Sequence, residues 1–361
     1  MKSLLAALVL GAAALAQGNP NIHEQLFAYK QVKVAEGVYA FISPEQKVPL
    51  VSGNQVLIVG EDAALVVDSG HFPSMTRRII ADIRKLTTKP VKYLVNTHWH
   101  ADHVSGNGEY KAAFPNVMLL STPETRVRLA NPLPQYDDLN QMNQFLPQLR
   151  KSLAEGKDDR GNTLRPEDRE FFQLMLDAGE AAVPDFRVAK KLPADAAFKD
   201  GMDISLGKRE VQIRFLGRGN TSGDAVVYVP DAKVLITGDL LVSPIPYAHG
   251  SFPSEWAKTM KALAAYDATA VVPGHGEVQT DKSYIETVTA LLEALTRQVQ
   301  DAVKVGLTLE DTRKEVDVSE FQKKLTNDDP NRVRSFRGNF LSIATTRAYR
   351  EAKEGALKDE N

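Results

Sequence analysis

The sequence predicts an α/β layered core, and two observations carry that expectation. Short apolar runs bounded by turn signals recur in two successive groups, and each group contains a segment of helical period. The first group is GVYAFIS (37–43), NQVLIVG (54–60), AALVVDSG (63–70) and PVKYLVNT (90–97). Between the last two, SMTRRIIADIRKLT (74–87) places Ile79, Ile80, Ile83 and Leu86 on one helical face. The second group is REVQIRFLG (209–217), DAVVYVP (224–230), KVLITGD (233–239) and TAVVPGHG (269–276), with SEWAKTMKALAAY (254–266) as its helix. Mixed strands and helices of this kind bury their apolar faces as packed layers.

Two further regions are helical in pattern. Residues 131–195 read as a helical insertion, with EGKDDRGN (155–162) as the break between QMNQFLPQLRKSLA and RPEDREFFQLMLDAGEAA. Residues 282–361 read as a helical C-terminal region, notably SYIETVTALLEALTRQVQDAVK (283–304) and PNRVRSFRGNFLSIATTRAYREAK (330–353). Packing is the simpler reading of both, and the insertion is also placed to act as a wall or lid.

Bulk properties exclude several function classes. A chain of 361 residues is ample for a large core. Its net charge of −2, with both signs interspersed, argues against nucleic acid as a partner, which requires a dense basic face. There is no cysteine, so disulfides, thiolate ligands and cysteine nucleophiles are excluded. Lys2 followed by the apolar run Leu4–Ala16 and the small-x-small pattern Ala14-Leu15-Ala16 reads as a signal peptide over 1–16. That run is shorter than the roughly 20 residues needed to span a bilayer. The expectation is a periplasmic or secreted protein beginning near Gln17, with no membrane span after cleavage. Oligomeric state is not legible.

The chemistry is concentrated in NTHWHADHVSG (96–106), directly after an apolar run. His98 and His100 are two apart and point the same way in an extended segment; Asp102 and His103 follow as the chain turns. Four ligand-type groups in six residues need a partner to be buried. Imidazole and carboxylate together suit zinc, with iron or manganese also admitted.

The run His98-Trp99-His100-Ala101-Asp102-His103 resembles the H-x-H-x-D-H signature of the metallo-β-lactamase superfamily. Four more segments resemble that family's motifs in its order: LVVDSG (65–70), GRGNTSGDAVVYVP (217–230), LITGDLL (235–241) and VVPGHGEV (271–278). The resemblance implies a four-layer αβ/βα sandwich over residues 17–281, with a metal site where the sheet edges meet. It implies one metal held by Asp102, His103, His275 and Asp239, and a second held by His98, His100 and a third-motif histidine. Here Asn220 stands in place of that histidine, and an amide oxygen is a weaker zinc ligand than imidazole. Three readings stay open: one tight and one weak metal, a single metal with Asn220 orienting substrate, or a site that binds without turnover. His249 and His71 are candidates to approach the site, His249 as a pocket residue, and His23 has no assigned role.

The function this implies is metal-dependent hydrolysis of a small-molecule substrate. A bound metal lowers the pKa of its water to about 7; Asp102 would orient that water, Asp239 would bind metal, and Asp68 would support the metal loop. Export directs the expectation toward β-lactam amide bonds. Lactones, thioesters, phosphoesters and sulfate esters are open to the same machinery, and a non-catalytic binding protein is the alternative of another class.

Overall fold

The computed structural model describes residues 22–45, 50–134 and 137–358; the expected signal peptide at 1–16 lies outside the described residues. The first sheet comprises β1 (Lys30–Ala35), β2 (Val38–Ile42), β3 (Gln55–Val59), β4 (Ala64–Val67), β5 (Val91–Val95), β6 (Met118–Ser121) and β7 (Ala196–Ala197), paired in chain order. Its pairs are antiparallel up to β4 and parallel from β4 onward. The second comprises β8 (Gly201–Ser205), β9 (Glu210–Phe215), β10 (Ala225–Val229), β11 (Val234–Ile236) and β12 (Ala270–Val272). Its order is β12-β11-β10-β9-β8, and only β11 and β12 run parallel.

The helices of the first half are α1 (Ile22–Leu26), α2 (Pro73–Leu86), α3 (Ala101–Val104), α4 (Asn107–Ala113), α5 (Pro123–Ala130), α6 (Asp138–Glu155) and α7 (Pro166–Val188). Those of the second are α8 (Pro253–Ala264), α9 (Ser283–Lys304), α10 (Leu309–Glu315), α11 (Ser319–Thr326), α12 (Pro330–Ser335) and α13 (Ser342–Glu354). Each apolar run predicted as a strand contains one. The run at 63–70 stops early because Asp68 adopts φ 58°, which no β ladder accommodates.

Alternation along the strands decides the layering. Val38, Ile58, Leu65 and Val95 face inward onto Val211, Ile213, Val227 and Ile236 of the other sheet. Their neighbours Leu57, Val66 and Leu94 face outward onto Met75, Ile79 and Ile83 of α2 and onto Leu146 and Met175 of the insertion. On the opposite side Val226, Leu235 and Val271 meet Trp256, Met260, Leu291, Leu295 and Ala344. Helices, sheet, sheet and helices give the four-layer sandwich. Full burial of each such side chain contributes about 1.5–3 kcal/mol.

The insertion is fastened into the first helical layer. Its break coincides with Gly156, the left-handed cap that ends α6. From α7, Asp185 accepts the backbone N–H of Ser74 at 2.6 Å and its hydroxyl at 3.0 Å, capping α2. In the C-terminal region the helix predicted over 330–353 is interrupted by a π-helical turn at Phe336–Leu341. Such a turn inserts a residue without ending the helix, which periodicity does not register.

Candidate metal centre

Strand direction brings the site residues to one place. β4 and β5 are parallel neighbours, so Asp68 and the segment 96–103 leave the sheet at the same end. β11 and β12 do the same for Asp239 and His275. Carboxyl ends of parallel strands are where α/β sheets build their sites. Two backbone bonds of 2.7 Å, Ala225 N–H to the Thr97 carbonyl and Asn54 N–H to the Gly274 carbonyl, bind the two sheet edges together there.

Asp68 organises the histidine loop. Its carboxylate accepts from the Thr97 backbone N–H, the Thr97 hydroxyl and the His103 Nδ1, each at 2.8 Å. The Thr97 hydroxyl gives its proton to Asp68, so its lone pair receives His98 Nδ1–H at 3.0 Å. Both histidines therefore present Nε2 to the centre. His103 Nε2 lies 3.1 Å from Asp239 Oδ1 and 3.2 Å from His275 Nε2. His275 Nε2 lies 2.9 Å from Asp102 Oδ2. Asp239 Oδ2 is 3.6 Å from His98 Nε2 and 4.0 Å from His100 Nδ1.

Among the described residues two groups could hold a metal, His98–His103–Asp239 and Asp102–His103–His275, each with ligand atoms within 4.8 Å of one another. His103 is common to both. Asp239 reaches both sides of the cluster, with Oδ2 3.6 Å from His98 Nε2 and Oδ1 3.1 Å from His103 Nε2.

The carboxylates and histidines of the cluster shift one another strongly. Burial pushes the Asp102 and Asp239 carboxyls up, but the surrounding histidines outweigh it and hold both far below the usual range. Burial lowers His103, yet Asp239, Asp102 and Asp68 outweigh it and raise it well above its usual value. His98 moves the other way: burial and the neighbouring His103 hold it well below its usual value, neutral and able to ligate.

Among the buried side-chain atoms without a hydrogen-bond partner in the described residues are His98 Nε2, Asp239 Oδ1 and Asn220 Oδ1. Leaving such atoms unpaired costs about 1–3 kcal/mol each. Asn220 is fully buried, and its Nδ2 donates to the Tyr247 carbonyl, which sets the amide's orientation and leaves Oδ1 unpaired. The Tyr247 ring lies 6.4 Å from that of His100. Imidazole nitrogens, carboxylates and unpaired acceptors together fit a divalent metal.

His71 and His249 belong to neither group. His71 is held by the Val51 carbonyl at 2.8 Å, stacks on Phe72 and has Nε2 3.5 Å from Asp138 Oδ1. His249 stacks on Tyr247 at 4.7 Å. His23 packs on Phe27 in α1. Sequence reasoning missed Thr97, Tyr247, Gly53 and Gly274. A Cβ on Gly53 would stand 2.4 Å from His103, and one on Gly274 2.0 Å from Asp239, so only glycine lets the ligands sit where they do. Gly274 lay in a quoted motif; Tyr247 acts through its backbone and leaves no side-chain signal.

The family model described as the metallo-beta-lactamase superfamily matches residues 48–275, more than half of the chain. The chain belongs to the metallo-beta-lactamase superfamily. Among curated relatives, it is 25% identical over 240 residues to the linear primary-alkylsulfatase of Pseudomonas sp. (strain ATCC 19151), covering 64% of this chain and 43% of that protein. It is 32% identical over 93 residues to the metallo-beta-lactamase IND-1 of Chryseobacterium indologenes, covering 24% of this chain and 39% of that protein. The chain thus spans less than half the length of either relative. A metallo-beta-lactamase from Pontibacter korlensis superposes with TM-score 0.52 at 19% identity, over 74% of this chain and 99% of that one, a likeness of fold. The His/Asp cluster described above is where this chain could hold a metal.

Proposed function

We propose that this chain is a zinc-dependent hydrolase of small-molecule esters. The observation that carries the reading is the convergence of His98, His103, His275, Asp102 and Asp239, with unpaired buried acceptors among them. Asp102, His103, His275 and Asp239 would hold one metal; His98, His100 and Asn220, with Asp239, would hold the other more weakly. The metal, when bound, supplies Lewis acidity and a water that ionises near pH 7. Asp102, the more exposed of the two carboxylates, would orient that water. Asp68 keeps His103 in the Nδ1–H tautomer. Tyr247 and His249 line the approach beside His100.

Sulfate esters come first among substrates, because the 240-residue likeness is to an alkylsulfatase. β-Lactams are the second reading, favoured by the 93-residue likeness to IND-1. A panel of alkyl sulfate, chromogenic cephalosporin, lactone, thioester and phosphodiester, assayed with zinc-loaded protein, separates them. Turnover confined to the cephalosporin would overturn the ester reading, and no turnover with zinc bound would leave a binding protein. Export by the 1–16 leader is part of the proposal. N-terminal sequencing of extracytoplasmic protein, expected to start at Gln17, tests it.

A further inference from the structure

The C-terminal helices reach the candidate metal centre through one loop, residues 241–252, which lies between Asp239 and α8. One end of that loop is paired with His275, whose carbonyl accepts the Ser243 N–H at 3.1 Å. Its middle supplies the Tyr247 carbonyl that orients Asn220. Its far end donates the Phe252 N–H to the carbonyl of Gly219, the residue before Asn220, at 2.8 Å. The loop therefore grips the Asn220 segment at two points.

The same loop is gripped from its other side by the C-terminal region. Ala248 N–H donates to the Asn339 carbonyl at 2.9 Å, inside the π-helical turn. The buried Arg347 of α13 donates Nε to the Ser251 carbonyl, and its guanidinium lies 5.3 Å from the centre of the Phe252 ring. Arg218, two residues before Asn220, sits 4.0 Å from that ring's centre and donates Nη1 to the Leu357 carbonyl. Glu351 accepts the Ser254 N–H at 3.0 Å at the start of α8. A helix needed only to cover apolar surface does not require a buried arginine bonded to a loop carbonyl.

We propose that Arg347 is a positioning residue for the Asn220 side of the metal centre. It fixes Ser251 and Phe252, and with the Asn339 carbonyl on Ala248 it holds the Tyr247 carbonyl where Asn220 must find it. The inference rests on the reading of Asn220 as a metal ligand. Its consequence is that the two metal positions depend unequally on the C-terminal region. Asp102 and His103 are built by the strand ends and Asp68, and His275 is paired with the near end of the loop, whereas Asn220 is set by its middle and far end.

The test is titration of metal-depleted full-length protein with zinc against a chromophoric chelator, and with cobalt(II) followed by its visible spectrum. Arg347→Met is expected to weaken the second equivalent about tenfold or more, as loss of an outer support does, and to leave the first unchanged. Arg347→Lys, which keeps a donor, is expected to restore most of that loss. Equal weakening of both equivalents, or no change in either, would overturn the proposal. Wild-type protein binding a single equivalent overturns it while the hydrolase reading stands; binding none removes both. Should Arg347→Met fail to fold, hydrogen exchange on the wild type decides. Filling the second equivalent is expected to slow exchange in 245–252 and 336–348, and unchanged exchange in 336–348 overturns the proposal.

Discussion

Asn220 donates its amide N–H to the backbone carbonyl of Tyr247, and its own oxygen is left buried with no hydrogen-bond partner. Reversing the amide would set two acceptors against each other, so the bond determines which atom is available. Oxygen is the available atom. Asn220→Ala is expected to abolish binding of the second zinc equivalent and leave the first intact. Asn220→His, which offers imidazole, is expected to tighten it. Equilibrium dialysis with metal analysis reads both, and unchanged stoichiometry and affinity in both variants would remove Asn220 from the site.

Asp68 is the support on which the better-defined half of the site depends. Asp68→Asn keeps the shape but supplies an N–H where His103 and Thr97 both need an acceptor. Metal affinity is expected to fall about 10–100-fold. Removing one partner of a buried charged pair also costs about 3–5 kcal/mol of stability. Chelator competition and denaturant titration measure the two effects.

Metal should stabilise the fold as well as equip it. With free zinc at about 100 times its Kd, the folded state is expected to gain about 2.7 kcal/mol. Chelator should lower the Tm and abolish turnover together, with both restored by zinc. A Tm indifferent to zinc would contradict the assignment of the cluster.

The pair His71–Asp138 ties α6 to the core across 3.5 Å, with Lys191 also on Asp138. Burial lowers His71, but Asp138 outweighs it and the net shift is upward. Burial raises Asp138, but His71 and Lys191 outweigh it and bring it to about 2. A raised histidine stabilises fully below its ordinary 6.5 and loses that as pH climbs through its folded value. A lowered aspartate stabilises above its ordinary 3.8 and loses that as pH falls toward about 2. The Tm difference between wild type and Asp138→Asn is therefore expected to be largest between those two ordinary values. A flat difference across pH 3 to 9 (about the accessible range for such pairs) would show the pair to be silent.

Asp185→Ala tests whether the insertion is a fastened layer. It leaves the Ser74 N–H at the start of α2 without its acceptor, for an expected loss of about 1–2 kcal/mol. Thermal unfolding should show the loss, with zinc stoichiometry unchanged because Asp185 touches no member of the cluster.

The strand runs, α2, α9 and the His98–His103 segment were legible in the sequence because each is written in local periodicity or in clustered ligand chemistry, and the G-D and P-G-H-G segments were legible through their resemblance to family motifs. Ile79, Ile80 and Ile83 announce a buried face, and His98 to His103 announce a metal, whatever the rest of the chain does. Tertiary structure alone decided three things. His103 sits between the two groups because Asp68, 35 residues away, takes its Nδ1. Gly53 and Gly274 are required because the ligands approach their backbones from distant strands. The oxygen of Asn220 is the available atom because a carbonyl 27 residues on takes its amide hydrogen. Backbone carbonyls carry no sequence identity, so contacts made through them become visible only when the chain is folded.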